Sequence, residues 1–226
     1  MNIPASPQFD RSRIPSGFSI RVVVFDCDGV LLDSKAANVR FYDHILTRFG
    51  RASVRPDQVE YLHMHSAQES LRFLLEDTPL FDEAWSYCQD MDFRQFNAYL
   101  RTEPGLISFL QALKPFYHIA LATNRTVSTQ EVLAHFELDP YFDCVVTAAD
   151  VTFPKPHPES MERIFHAFSA HAKEILYIGD SPVDEALARS TEVMFVAYKN
   201  PSLQAHLHIN HFHQLYPLLL GDQKDQ

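Results

Sequence analysis

The stretch Ile20-Arg21-Val22-Val23-Val24-Phe25-Asp26-Cys27-Asp28-Gly29-Val30 decides the fold. Its first half is apolar and β-branched without alternation, the pattern of a strand covered on both faces in a parallel sheet. Its second half turns acidic where such a strand must end. Side chains two apart on an extended segment point the same way, so Asp26 and Asp28 project together from the carboxyl edge of the sheet, where open α/β folds bind ligands. Gly29 permits the sharp turn by which the chain leaves the strand. Two adjacent carboxylates repel each other and require a raised pKa or a cation.

Outward from this stretch, four more apolar runs read as strands: His118 to Ala122, Cys144 to Thr147, Ile175 to Ile178 and Val193 to Ala197. Helical spacing lies between them. Leu106, Phe109, Leu110 and Leu113 keep the 3.6 period, as do Val132, Leu133 and Phe136 after the caps Thr126 and Ser128, and Met161, Ile164, Phe165 and Phe168 after Pro158. Strands alternating with helices predict an α/β fold, a Rossmann-like open parallel sheet with right-handed crossovers. The first interval breaks the rhythm, because Ser34 to Glu103 spans 70 residues, several times what one crossover helix needs. Helices are predicted there at 35–49, with Ser34 as cap and Gly50 as stop, and at 57–63, 67–76 and 82–101. This makes an inserted all-helical cap rich in aromatics, and Glu103-Pro104-Gly105 marks the return to the sheet. The expected organisation is a loose leader over 1–19, an α/β core from 20–33 and 104–226, and a helical cap from 34–103.

The chain has 226 residues, 46% hydrophobic and 21% charged, which is ordinary globular usage and excludes bulk disorder. Its formal charge of −10 opposes non-specific binding to nucleic acid or an anionic membrane, so an anionic ligand would need positive charge concentrated locally. Cys27, Cys88 and Cys144 form no CxxC pair and suggest neither a disulfide framework nor a zinc site. Met1 to Ile20 holds three prolines and no continuous apolar run, so it reads as neither a secretory signal nor a membrane span. The expectation is a cytoplasmic protein with no nucleic-acid or membrane partner; a monomer is compatible with the sequence, and nothing in it fixes the oligomeric state.

Each later strand ends on chemistry complementary to the two aspartates. Thr123-Asn124 offers a hydroxyl and then backbone N–H groups at an expected helix start, an anion site. Pro154-Lys155-Pro156 holds one of only six lysines in a stiff loop. Gly179-Asp180-Ser181-Pro182-Val183-Asp184 returns two more carboxylates, with Pro182 suited to a first helical turn. Any one of these alone would pass as a turn, a cap or a surface lysine. Together they make a cation site facing an oxyanion site.

This set resembles the haloacid-dehalogenase-like hydrolases, specifically the phosphoglycolate-phosphatase-like and β-phosphoglucomutase-like branch with a helical cap after the first motif. The resemblance covers about residues 20 to 220, carried by Asp26-Cys27-Asp28-Gly29-Val30-Leu31-Leu32-Asp33-Ser34, Thr123-Asn124, Lys155-Pro156-His157-Pro158-Glu159 and Gly179 to Asp184. It implies a Mg²⁺-dependent phosphatase acting on a small phosphorylated metabolite. Asp26 would attack phosphorus and form an aspartyl-phosphate. Asp28 would protonate the leaving oxygen and then activate water. Mg²⁺ would be held by Asp26, the Asp28 carbonyl and Asp180, with Asp184 acting through these ligands or a water. Thr123, the Asn124 amide and Lys155 would bind the phosphate oxygens.

Asp28 argues against a dehalogenase, and a cap with Lys35 as its only lysine argues against a phosphonatase. A sugar phosphomutase shares the catalytic set and stays open, as does a catalytically silent binding member. Arg40, His44 and Arg48 form a basic stripe that is either a solvated face or a contact for a second anionic group on the substrate. His63 and His65 are substrate contacts or exposed loop residues; Arg125 is a substrate contact or a helix-surface residue. His206, His208, His211 and His213 interleave with apolar residues and read as the last strand and turn, not a metal cluster. Cys27, beside the nucleophile, reads as packing.

Overall fold

Three successive valines and a phenylalanine are stiff at χ1 and apolar on both faces, and Val22–Phe25 (β1) accordingly forms an interior strand with all four residues fully buried. The structure is a computed structural model that describes residues 16–75, 78–126 and 128–220. Residues 1–15 of the expected leader, residue 76 of the helix expected at 67–76, and residues 221–226 lie outside the described residues.

After β1 the chain leaves the core through β2 (Leu32–Asp33) and enters four helices: α1 (Lys35–Arg48), α2 (Val59–Met64), α3 (Ala67–Leu74) and α4 (Phe81–Gln89). It returns through β3 (Arg101–Thr102), which pairs antiparallel with β2, so the two connections to the insert lie side by side. The insert has its own apolar cluster, centred on the buried Ile45, Leu62, Leu71 and Ala84. Two expectations are corrected here. The helix predicted over 82–101 is broken: α4 stops at Gln89, and a 3₁₀ turn over Phe93–Tyr99 restarts with the Asp92 carboxylate accepting the Arg94 N–H. Aspartates at the end of a helix oppose its dipole, and Asp92 instead serves as a new cap. Ser34 stands at the start of α1 without a side-chain capping bond, whereas Gly50, at φ +65, does end that helix.

Beyond β3 the elements alternate: α5 (Leu106–Leu113), β4 (His118–Ala122), α6 (Thr129–His135), β5 (Cys144–Val146), α7 (Glu159–Phe168), β6 (Ile175–Gly179), α8 (Pro182–Thr191), β7 (Met194–Tyr198), β8 (Leu207–Ile209) and α9 (Tyr216–Leu219). The main sheet has six strands in the order β5-β4-β1-β6-β7-β8, all parallel. Val23 and Phe25 face the cluster with α5, α6 and α9; Val22 and Val24 face the cluster with α7 and α8. The chain moves from β1 to β4 on one side and later to β6 on the other. That reversal opens a crevice at the carboxyl ends of β1, β4 and β6, where doubly wound sheets bind ligands. No helix among the described residues is long and apolar enough to cross a membrane.

Candidate active site

The carboxyl end of β1 puts Asp26 at the floor of this crevice, its N–H donating to Ile178 O at 2.9 Å. The Asp26 side chain meets Lys155, whose Nζ lies 2.7 Å from Asp26 Oδ1, 2.7 Å from Asp184 Oδ1 and 3.1 Å from the Tyr177 hydroxyl. Tyr177 in turn donates to Asp184 Oδ1. The three protons of the ammonium are therefore matched to three oxygens, all buried.

Asp184 owes its place to the start of α8. Ser181 and Asp184 form a capping box, in which Asp184 Oδ2 accepts the Ser181 hydroxyl at 2.6 Å and the N–H groups of Ser181 and Asp180 at 3.1 and 3.2 Å. With both oxygens engaged, Asp184 is the pivot that holds Lys155 and the Asp180 backbone. The Asp180 carboxylate packs over Gly29, where φ is +83 and a Cβ would stand 2.0 Å from Asp180 Oδ2. Only glycine fits that turn.

The Lys155 loop is fixed by Asn124, whose Oδ1 accepts the Lys155 N–H at 2.9 Å while its Nδ2 donates to Lys155 O at 3.0 Å and to Met64 O in the insert at 3.2 Å. The Asn124 side chain thus ties together two core loops and the cap. Thr123 Oγ1 accepts the Arg125 N–H at 3.0 Å, which leaves its own hydrogen to donate into the crevice. The expected helix start beside Asn124 is corrected: α6 begins at Thr129, and residues 123–126 form a loop because Arg125 turns its N–H back to Thr123.

Asp28 faces Asp26 across a cavity of about 70 Å³ that the core lines with Asp26, Asp28, Thr123, Asn124, Arg125 and Lys155 and the insert with Asn38, Phe41, Tyr42, His63 and His65. Arg125 holds Asp28 through a two-pronged ion pair, with Nε 3.1 Å from Asp28 Oδ2, and its Nη1 donates to Ser128 Oγ at 3.0 Å. His63 is buried, with Nδ1 3.3 Å from Asn38 Nδ2 and Nε2 3.8 Å from Asp180 Oδ2. His65 is stacked on Tyr61, ring centroids 3.8 Å apart, with Nδ1 2.9 Å from Tyr61 O. Arg40 is not brought to the cavity. It is exposed on the outer face of α1 over the Tyr99 ring, 5.6 Å from its centroid, because the neighbouring Phe41 and Tyr42 take the inward face.

The electrostatics separate the four aspartates into two classes. Burial, reinforced by the Asp184 charge, pushes the Asp26 carboxyl up to about 7 against the pull of Lys155. Burial and the charges of Asp184 and Asp26 likewise push Asp180 well up. Burial also acts to raise Asp28 and Asp184, but their cations win: Arg125 holds Asp28 below its ordinary value, and Lys155 does the same for Asp184. Burial lowers His63 and raises the Cys27 thiol, so Cys27 is an inert packing residue.

Asp26, Asp180 and Asp184 can each bring an oxygen within 4.8 Å of the others. Four carboxylates against Lys155 and Arg125 leave two negative charges in excess, and the two carboxyls pushed up by burial, Asp26 and Asp180, are those that a cation would return to the ionised form. An all-oxygen donor set with this excess fits a hard divalent ion such as Mg²⁺. The four C-terminal histidines make no such group among the described residues: His206 Nδ1 accepts the Phe195 N–H, His208 Nε2 lies 2.9 Å from Leu203 O, and His211 stacks on His213.

Tyr177 is the functional residue that the sequence pattern did not single out. Its signal is a phenol inside the otherwise apolar Ile175-Leu176-Tyr177-Ile178 run, since a buried tyrosine needs a partner for its hydroxyl.

The haloacid dehalogenase-like hydrolase family model matches residues 23–198. A phosphoglycolate phosphatase from Rhodobacter capsulatus is 30% identical over 212 residues, 87% of this chain and 94% of that one. The pyrophosphatase PpaX of Bacillus cereus (strain Q1) is 30% identical over 176 residues, 73% of this chain and 76% of that one. A solved subfamily IA, variant 1 hydrolase of the same superfamily from Geobacter sulfurreducens superposes with a TM-score of 0.78 at 35% identity, covering 89% of this chain and 100% of that chain.

Proposed function

The chain belongs to the haloacid dehalogenase-like hydrolases, and on that premise we propose that it is a phosphatase that hydrolyses a small phosphorylated metabolite through a phosphoryl group carried on Asp26. The observation that carries the proposal is the pair of carboxylates in opposite electrostatic settings on one cavity, Asp26 against Lys155 and Asp28 against Arg125. Asp26 becomes the ionised nucleophile once a cation offsets the burial that raises it, and Asp28 becomes the proton carrier once the Arg125 pair opens.

Asp26 attacks phosphorus in line, and the Lys155 charge beside it offsets the repulsion between carboxylate and phosphate. Asp28 can pass a proton to the departing oxygen only from its neutral form, so the Arg125 pair must open in the substrate complex for Asp28 to be protonated; as a carboxylate it then takes a proton from the water that releases phosphate. Thr123 donates its hydroxyl hydrogen to a phosphate oxygen, and Asn124 keeps Lys155 in register. Asp26, the Asp28 carbonyl and Asp180 would hold Mg²⁺, which when bound screens the charges of carboxylate and phosphate. Residues 34–103 act as the cap that excludes water, with Phe41, Tyr42, His63 and His65 on its inner side. The names of the relatives, a phosphoglycolate phosphatase and a pyrophosphatase, support a phosphorylated small molecule as substrate.

The test is Mg²⁺-dependent release of inorganic phosphate across a panel of phosphorylated metabolites, with Asp26→Asn as control. Release that disappears in Asp26→Asn is expected. No release from any member, or conversion of a sugar phosphate to its isomer in place of release, would overturn the phosphatase reading.

A further inference from the structure

His63 is a cap side chain whose ring reaches toward the Asp180 carboxylate, and it does so with a donor left over. Its side chain is 3% exposed. The Asn38 amide nitrogen, which can only donate, lies 3.3 Å from Nδ1, so Nδ1 accepts and the ring proton sits on Nε2. That Nε2–H is buried without a hydrogen-bond partner among the described residues. The Asp180 oxygen it points toward is 3.8 Å away, beyond hydrogen-bond reach. Native folds rarely leave a buried donor unmatched unless a ligand, ion or water completes it. A second cavity, of about 210 Å³, adjoins the site and is lined by Asp180, His63, Gly29, Glu103 and Lys199. It is polar and roomy enough for water, and His63 forms the wall between it and the catalytic cavity.

We infer that, when the cation is bound, His63 donates from Nε2 to the Asp180 carboxylate, directly or through a water of the adjoining cavity, so that cap closure and metal loading stabilise each other. This rests on the metal reading given above. The donor belongs to the insert and the metal ligands to the core, so the bond exists only when the two are together. By linkage, whatever the metal gains from the closed cap the closed cap gains from the metal. His63 is thus a positioning residue, acting through the Asp180 carboxylate.

The test is calorimetric titration of Mg²⁺ into substrate-free wild type, His63→Leu and His63→Gln, with the fold of each checked by circular dichroism. Loss of a partner to a metal's ligands costs tenfold or more in affinity, so His63→Leu should bind Mg²⁺ about tenfold more weakly. His63→Gln, whose Nε2 reproduces the donor, should stay within about threefold of wild type. Mg²⁺ should slow amide exchange in α2 of wild type and of His63→Gln but not of His63→Leu. Equal Mg²⁺ affinity in wild type and His63→Leu, or a His63→Gln as weak as His63→Leu, overturns the inference. A His63→Leu that keeps its Mg²⁺ affinity while its KM rises assigns the donor to a substrate oxygen and overturns it as well. Absence of Mg²⁺ binding by wild type would sink the metal reading itself, a result distinguishable from failure of the His63 inference alone.

Discussion

Replacing Tyr177 by phenylalanine removes one buried oxygen and nothing else. The ring is fully buried in the strand face that packs on α7 and α8, so the apolar contacts survive. The lost hydroxyl donates to Asp184 and accepts from Lys155 at 3.1 Å. Neither charge is orphaned: Lys155 keeps Asp26 and Asp184 at 2.7 Å each, and Asp184 keeps Lys155, the Ser181 hydroxyl and two backbone N–H groups. The loss is therefore that of hydrogen bonding to charged groups, about 1.5–3 kcal/mol, and not the larger cost of about 3–5 kcal/mol for stripping a buried charge of its partner. Lys155→Met should show that larger cost, because it leaves Asp26 and Asp184 facing each other without a cation. Urea unfolding of both variants in metal-free buffer measures the two values. The double variant should be less destabilised than the sum of the singles, since the Tyr177 to Lys155 bond is counted in each. With Lys155 still present but less firmly held, kcat for phosphate release should fall about tenfold, roughly 1.4 kcal/mol. A Tyr177→Phe protein within about 0.5 kcal/mol of wild type would refute the assigned bonds, and one as unstable as Lys155→Met would refute the claim that both charges stay paired.

The pH dependence of the metal-free protein should run against the usual acid denaturation. Asp26 is pushed up to about 7 and Asp180 is also pushed up, so between pH ~4 and ~7 the folded state binds more protons than the unfolded one and stability falls as pH rises. Thermal melts in EDTA should show that decline, and Mg²⁺ should reduce it; a rise through the same window would contradict the assignment. Gly29→Ala should abolish Mg²⁺ binding and phosphate release together, because the new methyl at φ +83 would displace the Asp180 carboxylate; retained Mg²⁺ affinity in calorimetry would contradict the packing. Arg40→Ala should leave kcat/KM on the best substrate within about twofold, since Arg40 lies over Tyr99 outside the cavity; a tenfold loss would return the basic stripe to the substrate.

What was legible in the sequence follows from how each group is placed. The sheet could be read because strands covered on both faces are almost wholly apolar until they end, and β1, β4 and β6 end abruptly on Asp26, Thr123 and Asp180. Asp184 could be read as a charge of the site, but its main work is local: Ser181 and Asp184 cap α8, and that cap turns one carboxylate oxygen to Lys155. The insert resisted for the opposite reason. Its helices are apolar on several sides because they pack on one another, so periodicity did not separate α4 from the 3₁₀ turn after it. On α1 the spacing did mark the packed flank, since Phe41 and Ile45 are buried while Arg40, about 100° around the helix from Phe41, is exposed. Arg125 shows the limit most clearly. Two residues after Thr123 it offers a cation to any anion nearby, and the sequence supplies two: a substrate still to come and Asp28, already present. The fold gives it to Asp28 and leaves both side chains only about a tenth exposed, at 11% and 12%. A substrate anion would have to compete with a part-buried, two-pronged ion pair. On the phosphatase reading, the cap residues that border the cavity are then the ones expected to set specificity.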